Sequence, residues 1–141
     1  MRKILLIISC CLFFILGACS SLTNKPLPTS SAHVENSNIT IPVKIFSYRW
    51  GTKSEYGESA AIDVNIEPAT IQPNSKITFS FDPKPKSIGD VHEVLNQNDA
   101  KVLGNASDGL LVPYTDGVHT YTYRAEWREG VVAFVFKVKV K

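Results

Sequence analysis

The sequence predicts an all-β fold, an antiparallel β-sandwich, from three observations. Apolar and polar residues alternate with a period of two in several short stretches, as they do in strands that have one face in a core. Turn-forming residues separate these stretches, which is typical of sheets built from hairpins. No window has the apolar period of an amphipathic helix, so we do not expect helices to build the core.

The clearest strand pattern lies at the end of the chain. In residues 119–127 and 132–140, most of the alternate positions have an apolar or aromatic side chain. Between them Gly130 predicts a turn with a positive φ, because glycine adopts that conformation without strain. The two stretches therefore predict a long antiparallel hairpin, and its outer face carries charges that oppose edge-to-edge association, namely Lys137, Lys139 and Lys141.

Weaker patterns predict further strands upstream. Residues 61–66 and 76–81 both alternate, and the segment 72–75 between them is a turn sequence, since its proline presets φ and its asparagine tolerates the left-handed region. Residues 91–103 predict a hairpin and not a helix, because the polar run 96–99 interrupts them.

The alternation changes phase before residue 50. The apolar residues first occupy odd positions and then even positions, as Ile39, Ile41, Val43 and Ile45 are followed by Phe46, Tyr48 and Trp50. One extra residue near Ile45-Phe46, a β-bulge, produces such a change. Because a bulge re-aims the side chains that follow it, the next residues are of functional interest.

Residues 47–59, SYRWGTKSEYGES, are the best candidate for recognition. Aromatic residues and arginine bury large areas and also offer a polar group, and they dominate binding interfaces. The candidate binding residues are Tyr48, Arg49, Trp50 and Tyr56. The alternative is that Trp50 and Tyr48 fill the core of the sandwich.

The N-terminus has the pattern of a lipoprotein signal peptide over residues 1–18. A short positive segment precedes the apolar run 4–16, which as a helix reaches about 20 Å and is too short for a hydrocarbon core of about 30 Å. Leu16-Gly17-Ala18-Cys19 resembles the lipobox of bacterial lipoproteins. The resemblance implies that Cys19 is diacylglycerylated and becomes the first residue, and two acyl chains hold a protein stably on a membrane.

The other two cysteines, Cys10 and Cys11, lie in the signal peptide, so no disulfide and no cysteine metal site are expected in the exported chain. Residues 19–38 are rich in Ser, Asn, Thr and Pro and lack periodicity, and we interpret them as the lipidated cysteine and a flexible, disordered tether that includes a solvated His33. Residues 39–141 then form a single sandwich domain with one core.

Three stretches of the domain resemble small surface lipoproteins of spore-forming Gram-positive bacteria. They are SYRWG (47–51), IQPNSKITFSF (71–81) and YRAEWREGVVAFVFKVKV (123–140). The resemblance implies a fold and a location but no activity, and the family has a cysteine where this chain has Arg49. The alternating tyrosines also resemble the penultimate strand of immunoglobulin-like sandwiches, where either Tyr121 or Tyr123 would form a tyrosine corner.

Composition and spacing argue against several classes of function. Without Arg2 and Lys3 the chain has 13 basic and 13 acidic residues, so it has no electrostatic attraction for nucleic acid. The histidines lack metal-ligand spacing, and no nucleophile or cofactor motif occurs. Carboxylate pairs are available, but any chain this acidic offers them. We therefore expect no enzyme, no cofactor and no metal site. The histidines considered as metal ligands are His33, His92 and His119, and the carboxylates considered as catalytic pairs are Glu55, Glu58, Asp63 and Glu67.

These observations predict a non-enzymatic binding or accessory module, held by lipid on Cys19 at the outer face of a bacterial cell membrane, or of the outer membrane in a Gram-negative cell. Its expected partners are the membrane itself and an envelope protein or wall polymer. The alternative is a small inhibitor or regulator of an envelope enzyme, which would use a protruding loop at residues 96–99 or 128–130.

Overall fold

The computed structural model describes residues 25–57 and 60–141, which form a sandwich of two β-sheets. Two short 3-10 helices, Ala61–Asp63 and Ala106–Asp108, lie between strands. The strands are β1 (Thr29–Val34), β2 (Thr40–Ile41), β3 (Val43–Trp50), β4 (Lys53–Glu55), β5 (Ala69–Ile71), β6 (Lys76–Asp82), β7 (Ser87–Ile88), β8 (Asp90–Asn96), β9 (Asp99–Asn105), β10 (Leu110–Leu111), β11 (Gly117–Glu126) and β12 (Gly130–Val140).

The predicted all-β antiparallel sandwich is confirmed. The small sheet has the order β10-β6-β1-β2, and the large sheet has the order β4-β3-β12-β11-β8-β9 with β7 added beside β11. Every pairing is antiparallel except that of β5, which runs parallel to the last residues of β12. In the large sheet β11 lies between β8 and β12, which is also how strands C, F and G are arranged in immunoglobulin domains.

An aromatic cluster fills the space between the sheets. Tyr121, Tyr123, Phe134 and Phe136 of the large sheet are at most 1% exposed. Phe79 of the small sheet covers them, with its ring centroid 4.5 Å from that of Tyr123 and 5.6 Å from that of Phe136. Such pairs contribute roughly 0.5–1.5 kcal/mol each beyond their buried area, so this cluster contributes substantially to stability in a domain with no disulfide.

Several local predictions are confirmed. The hairpin of β11 and β12 is paired along its whole length, and β8 and β9 form the hairpin around residues 96–99. Asn74 has a φ of 60° in the turn before β6. The bulge is also present, because β12 pairs Ala133 with Ser47 and Phe134 with Ile45, which leaves Phe46 as the extra residue.

The predicted tether is wrong for residues 29–34. These residues are β1, which pairs with β6 over six positions and with β2 on its other side. Ala32 and Val34 face the core, whereas His33 is exposed. The folded domain therefore begins by Lys25 and not at residue 39.

The predicted strand at residues 61–66 is also wrong. Its first half is the 3-10 helix Ala61–Asp63, and the segment crosses the outer face of the large sheet. Ala61 and Ile66 are nevertheless buried, against Val135. The alternating apolar residues serve packing onto a sheet surface and not pairing within a sheet.

The two central tyrosines of β11 have different hydroxyl environments, and neither forms a tyrosine corner. The Tyr123 hydroxyl lies 2.6 Å from Ser30 Oγ. The buried Tyr121 hydroxyl has no hydrogen-bond partner among the described residues.

We expect Tyr123→Phe to destabilise the fold by about 1 kcal/mol and Tyr121→Phe to be neutral or stabilising, because only the first substitution removes a hydrogen bond. Urea unfolding of both variants measures this difference, and equal losses would contradict it.

Both tyrosines also make the free energy of unfolding depend on pH in the alkaline range. Burial raises the pKa of Tyr121 and of Tyr123 well above the ordinary value, with the nearby Glu93 adding to the effect on Tyr121. In the unfolded chain they ionise near pH 10. Their contribution to stability is thus complete below about pH 10 and decreases above it, and Tyr121→Phe should make that decrease shallower.

Candidate functional site

Cys19 and the signal sequence lie outside the described residues, so their predicted roles stay predictions. Within residues 25–57 and 60–141, no helix has the length and apolar character required to cross a membrane.

The candidate residues 47–56 lie on β3 and β4 and on the chain just after β4, at one end of the sandwich, and alternate between the two faces of the large sheet. Trp50 faces the core and is only 7% exposed. Its Nε1 donates to the Lys25 carbonyl oxygen at 2.9 Å, and its ring meets that of Trp127 edge-on at 5.8 Å. Trp50 is therefore a core residue, and its prediction as a binding residue is wrong.

Tyr48 also faces the core side, as a partly buried residue at the rim of the main cluster. It lies opposite Glu55 in the pairing of β3 with β4. Hydrogen bonding to Glu55 raises the pKa of the Tyr48 hydroxyl. Tyr48 thus lies next to the short edge strand β4.

Arg49 and Tyr56 lie on the opposite, outer face. Arg49 pairs with Val131, and both line a depression of about 260 Å³ that Tyr56 borders as well. Tyr56 is 77% exposed, so a large aromatic side chain is presented to solvent. Of the four candidates, these two are exposed on this surface, and Tyr48 also contributes to the lining of the depression.

Arg124 of β11 lies at the centre of this surface, and sequence analysis missed it. It borders the depression beside Arg49, a second one of about 360 Å³ towards β7, and a third of about 270 Å³ towards His92. The three depressions share lining residues and form one trough, which we call the furrow. It is lined by Ser47, Arg49, Tyr56, Gly89, Arg124 and Ala133.

Small residues give the furrow its depth. Ser47 and Ala133 form one row across β3 and β12, and Arg124 continues that row on β11. A Cβ at Gly89 would lie 3.1 Å from Cγ of Arg124, so the missing side chain leaves room for the arginine stem. The Gly89 N–H also donates to the Arg124 carbonyl oxygen at 2.8 Å, which fixes the backbone beneath.

The segment around residues 60–66 covers another part of this sheet face. It packs on Val135, Phe46 and Val94. Two lysines of the large sheet also bind the backbone of this segment. Lys44 Nζ donates to the Asn65 carbonyl at 2.6 Å, and Lys137 Nζ donates to the Ile62 carbonyl at 2.8 Å. The furrow thus lies beside this segment on the outer face.

The furrow has an excess of positive charge. Among the described residues neither Arg49 nor Arg124 is in an ion pair, and Glu126 is the carboxylate that borders the trough. Arg49 and Arg124 lie on the strands either side of β12 and are offset by two residues along it, so their backbones are about 12 Å apart. Two guanidinium groups at this spacing suit a ligand with more than one acidic group.

The histidines lie apart from each other. His33 is exposed on β1, and His92 borders one end of the furrow. His119 is fixed between two acceptors, Glu93 Oε1 at 2.7 Å from its Nδ1 and the Thr115 carbonyl at 2.8 Å from its Nε2. Within the described ranges, no three His, Cys, Asp or Glu side chains are arranged to hold a metal ion.

Comparison of the chain with models of known protein families, with curated proteins and with solved structures gives no significant match. The function is therefore inferred from the geometry of the site.

Proposed function

We propose that this protein is a non-enzymatic binding module of the bacterial envelope, anchored by lipid on Cys19, and that it binds an acidic envelope polymer in the furrow. The observation that supports binding is the open, small-residue trough with two guanidinium groups that have no ion-pair partner among the described residues. Arginine recognises carboxylate and phosphate oxygens through paired hydrogen bonds. Tyr56 adds an exposed aromatic surface at the side of the furrow.

The alternative, an inhibitor with a protruding loop, receives less support. The 128–130 connection is a tight turn, closed by hydrogen bonds between Trp127 and Gly130 in both directions at 2.8 and 3.3 Å. Such a turn projects little side-chain surface for insertion into an enzyme cleft.

Charge substitutions in the furrow test the binding proposal. We expect Arg124→Gln to weaken binding of polyphosphate or of polyglutamate about tenfold or more, since a hydrogen bond to a charged group contributes roughly 1.5–3 kcal/mol. Glu126→Gln should strengthen binding, because it removes the carboxylate that repels the same ligand. Titration calorimetry with the two polymers at matched length measures both effects and shows whether phosphate or carboxylate is preferred.

Lys101→Gln is the matched control, because Lys101 is an exposed cation of β9 outside the furrow. It should bind the polymers like the unaltered protein. Equal weakening by Arg124→Gln and Lys101→Gln would indicate nonspecific charge attraction and would overturn the furrow as the site.

A further inference from the structure

We propose that one end of the domain rests on the anionic surface of the membrane that holds the Cys19 lipid. This end, which we call the basic pole, carries Lys25, Lys53, Lys84, Lys86 and Arg128. The inference rests on the lipid anchor of the proposed function and adds an orientation and a second membrane contact, whereas it is independent of what the furrow binds.

The chain enters the folded domain at the basic pole. The Lys25 carbonyl accepts a hydrogen bond from Trp50 Nε1, and the Lys25 ammonium group is bonded to the Glu129 carboxylate. Trp50 and Glu129 belong to the turns that end β3 and begin β12. The first described residue is thus fixed to the end of the sandwich where these turns meet.

The chain length between anchor and domain keeps this end close to the lipid. Five residues separate Cys19 from Lys25, and six residue steps span at most about 20 Å even when fully extended. The ten residues of β11 alone extend about 34 Å from this pole to the other. The membrane surface therefore lies within reach of the basic pole and far from the opposite one.

The charges of the pole complement anionic headgroups. All five basic residues are exposed, and only Lys25 is in an ion pair among the described residues. The acidic residues at this end are fewer, namely Glu55, Asp82, Glu126 and the Lys25-bonded Glu129. Each basic residue near an anionic surface changes the docking equilibrium about fivefold.

The loop that carries Lys84 and Lys86 has a fixed backbone. Trp127 Nε1 donates to the Pro83 carbonyl at 2.8 Å, and the Lys86 N–H donates to the Glu126 carbonyl at 2.7 Å. The lysines therefore project from a rigid platform, and docking orders few additional groups. Because Glu126 also borders the furrow, this orientation places that end of the furrow next to the membrane.

Fluorescent labels at the two poles test the orientation. We label Thr52→Cys at the basic pole and Asp116→Cys at the opposite pole in the full chain, purify the acylated protein, and place it in phosphatidylcholine vesicles with or without phosphatidylglycerol. A headgroup quencher should act several times more strongly at position 52 than at position 116. The ratio of quenching at position 52 to quenching at position 116 should increase with phosphatidylglycerol and decrease with salt.

Charge reversal identifies the contact. Phosphatidylglycerol should increase the docking equilibrium constant of the unaltered protein. In the variant that combines Lys84→Glu with Lys86→Glu, this increase should be smaller by about 25-fold or more, because two lysines are lost. Lys76→Glu with Lys141→Glu at the opposite pole is the matched control and should have no effect. Equal quenching of both labels in acylated protein would overturn the orientation alone, whereas mass spectrometry that finds no acyl chain on Cys19 would overturn the anchor and this inference together.

Discussion

We expect a chain that starts at residue 39 to be unfolded, whereas a chain that starts at residue 25 folds cooperatively. The sequence pattern favours residue 39 as the start of the domain, but β1 lies upstream of it, between β2 and β6 in the small sheet. Removing β1 deprives β6 of its partner over six positions and leaves β2 without a neighbour.

The expected loss exceeds the stability of a typical domain. Ala32 and Val34 are buried, so the deletion opens the core beneath the aromatic cluster. It also removes the Ser30 partner of the Tyr123 hydroxyl and the Lys25 carbonyl that accepts from Trp50 Nε1. Small domains have only about 5–15 kcal/mol of net stability, and a missing central strand removes more than that.

Circular dichroism and thermal unfolding of the two truncated chains measure the effect. A synthetic peptide of residues 25–38, added in trans, should restore structure to the shorter chain. In the full-length protein, Ala32→Asp should destabilise strongly because it buries an unpaired charge, whereas His33→Asp on the exposed face of the same strand should not. Identical melting of both truncated chains would show that β1 is dispensable.

The reason β1 escapes sequence analysis is physical. Its stability comes from backbone pairing with strands on both sides, which side chains encode weakly. Only two aliphatic residues of TSSAHV face the core, and its outer face is polar, with the Ser31 and Ser80 hydroxyls 2.7 Å apart. The hairpin of β11 and β12 is predictable because both strands bury one continuous apolar face.

The candidate site was predictable only in part, for a related reason. Alternation along β3 indicates that Arg49 and Trp50 point in opposite directions, but it does not indicate which direction is the core. Alternation along β11 places Arg124 on the polar face, but nothing local marks it as a site residue. Its neighbours in the furrow come from β3 and β12, so its position depends on the register between three strands, including the bulge at Phe46.

The second large effect concerns Gly130, the first residue of β12. A Cβ built there would lie 1.8 Å from the Arg49 carbonyl oxygen and 3.0 Å from Cα of Trp50. The obstructing atoms are backbone atoms of β3, so no side-chain rotation relieves the contact. We expect Gly130→Ala to destabilise the protein by more than about 4 kcal/mol, because β3 and β12 must separate at the end that carries Trp50.

Gly117→Ala separates this steric effect from backbone strain. Gly117 has a φ of 124°, but a Cβ there meets nothing within 4 Å. Gly117→Ala should therefore lower the free energy of unfolding by only about 1–2 kcal/mol, the cost of a non-glycine residue at a positive φ. Urea unfolding should show a much larger loss for Gly130→Ala, accompanied by a change in the fluorescence of Trp50 and Trp127, which lie beside the separated strands. Equal losses in the two variants would mean that the strands accommodate the methyl group, and that the approach of β3 to Gly130 does not limit stability.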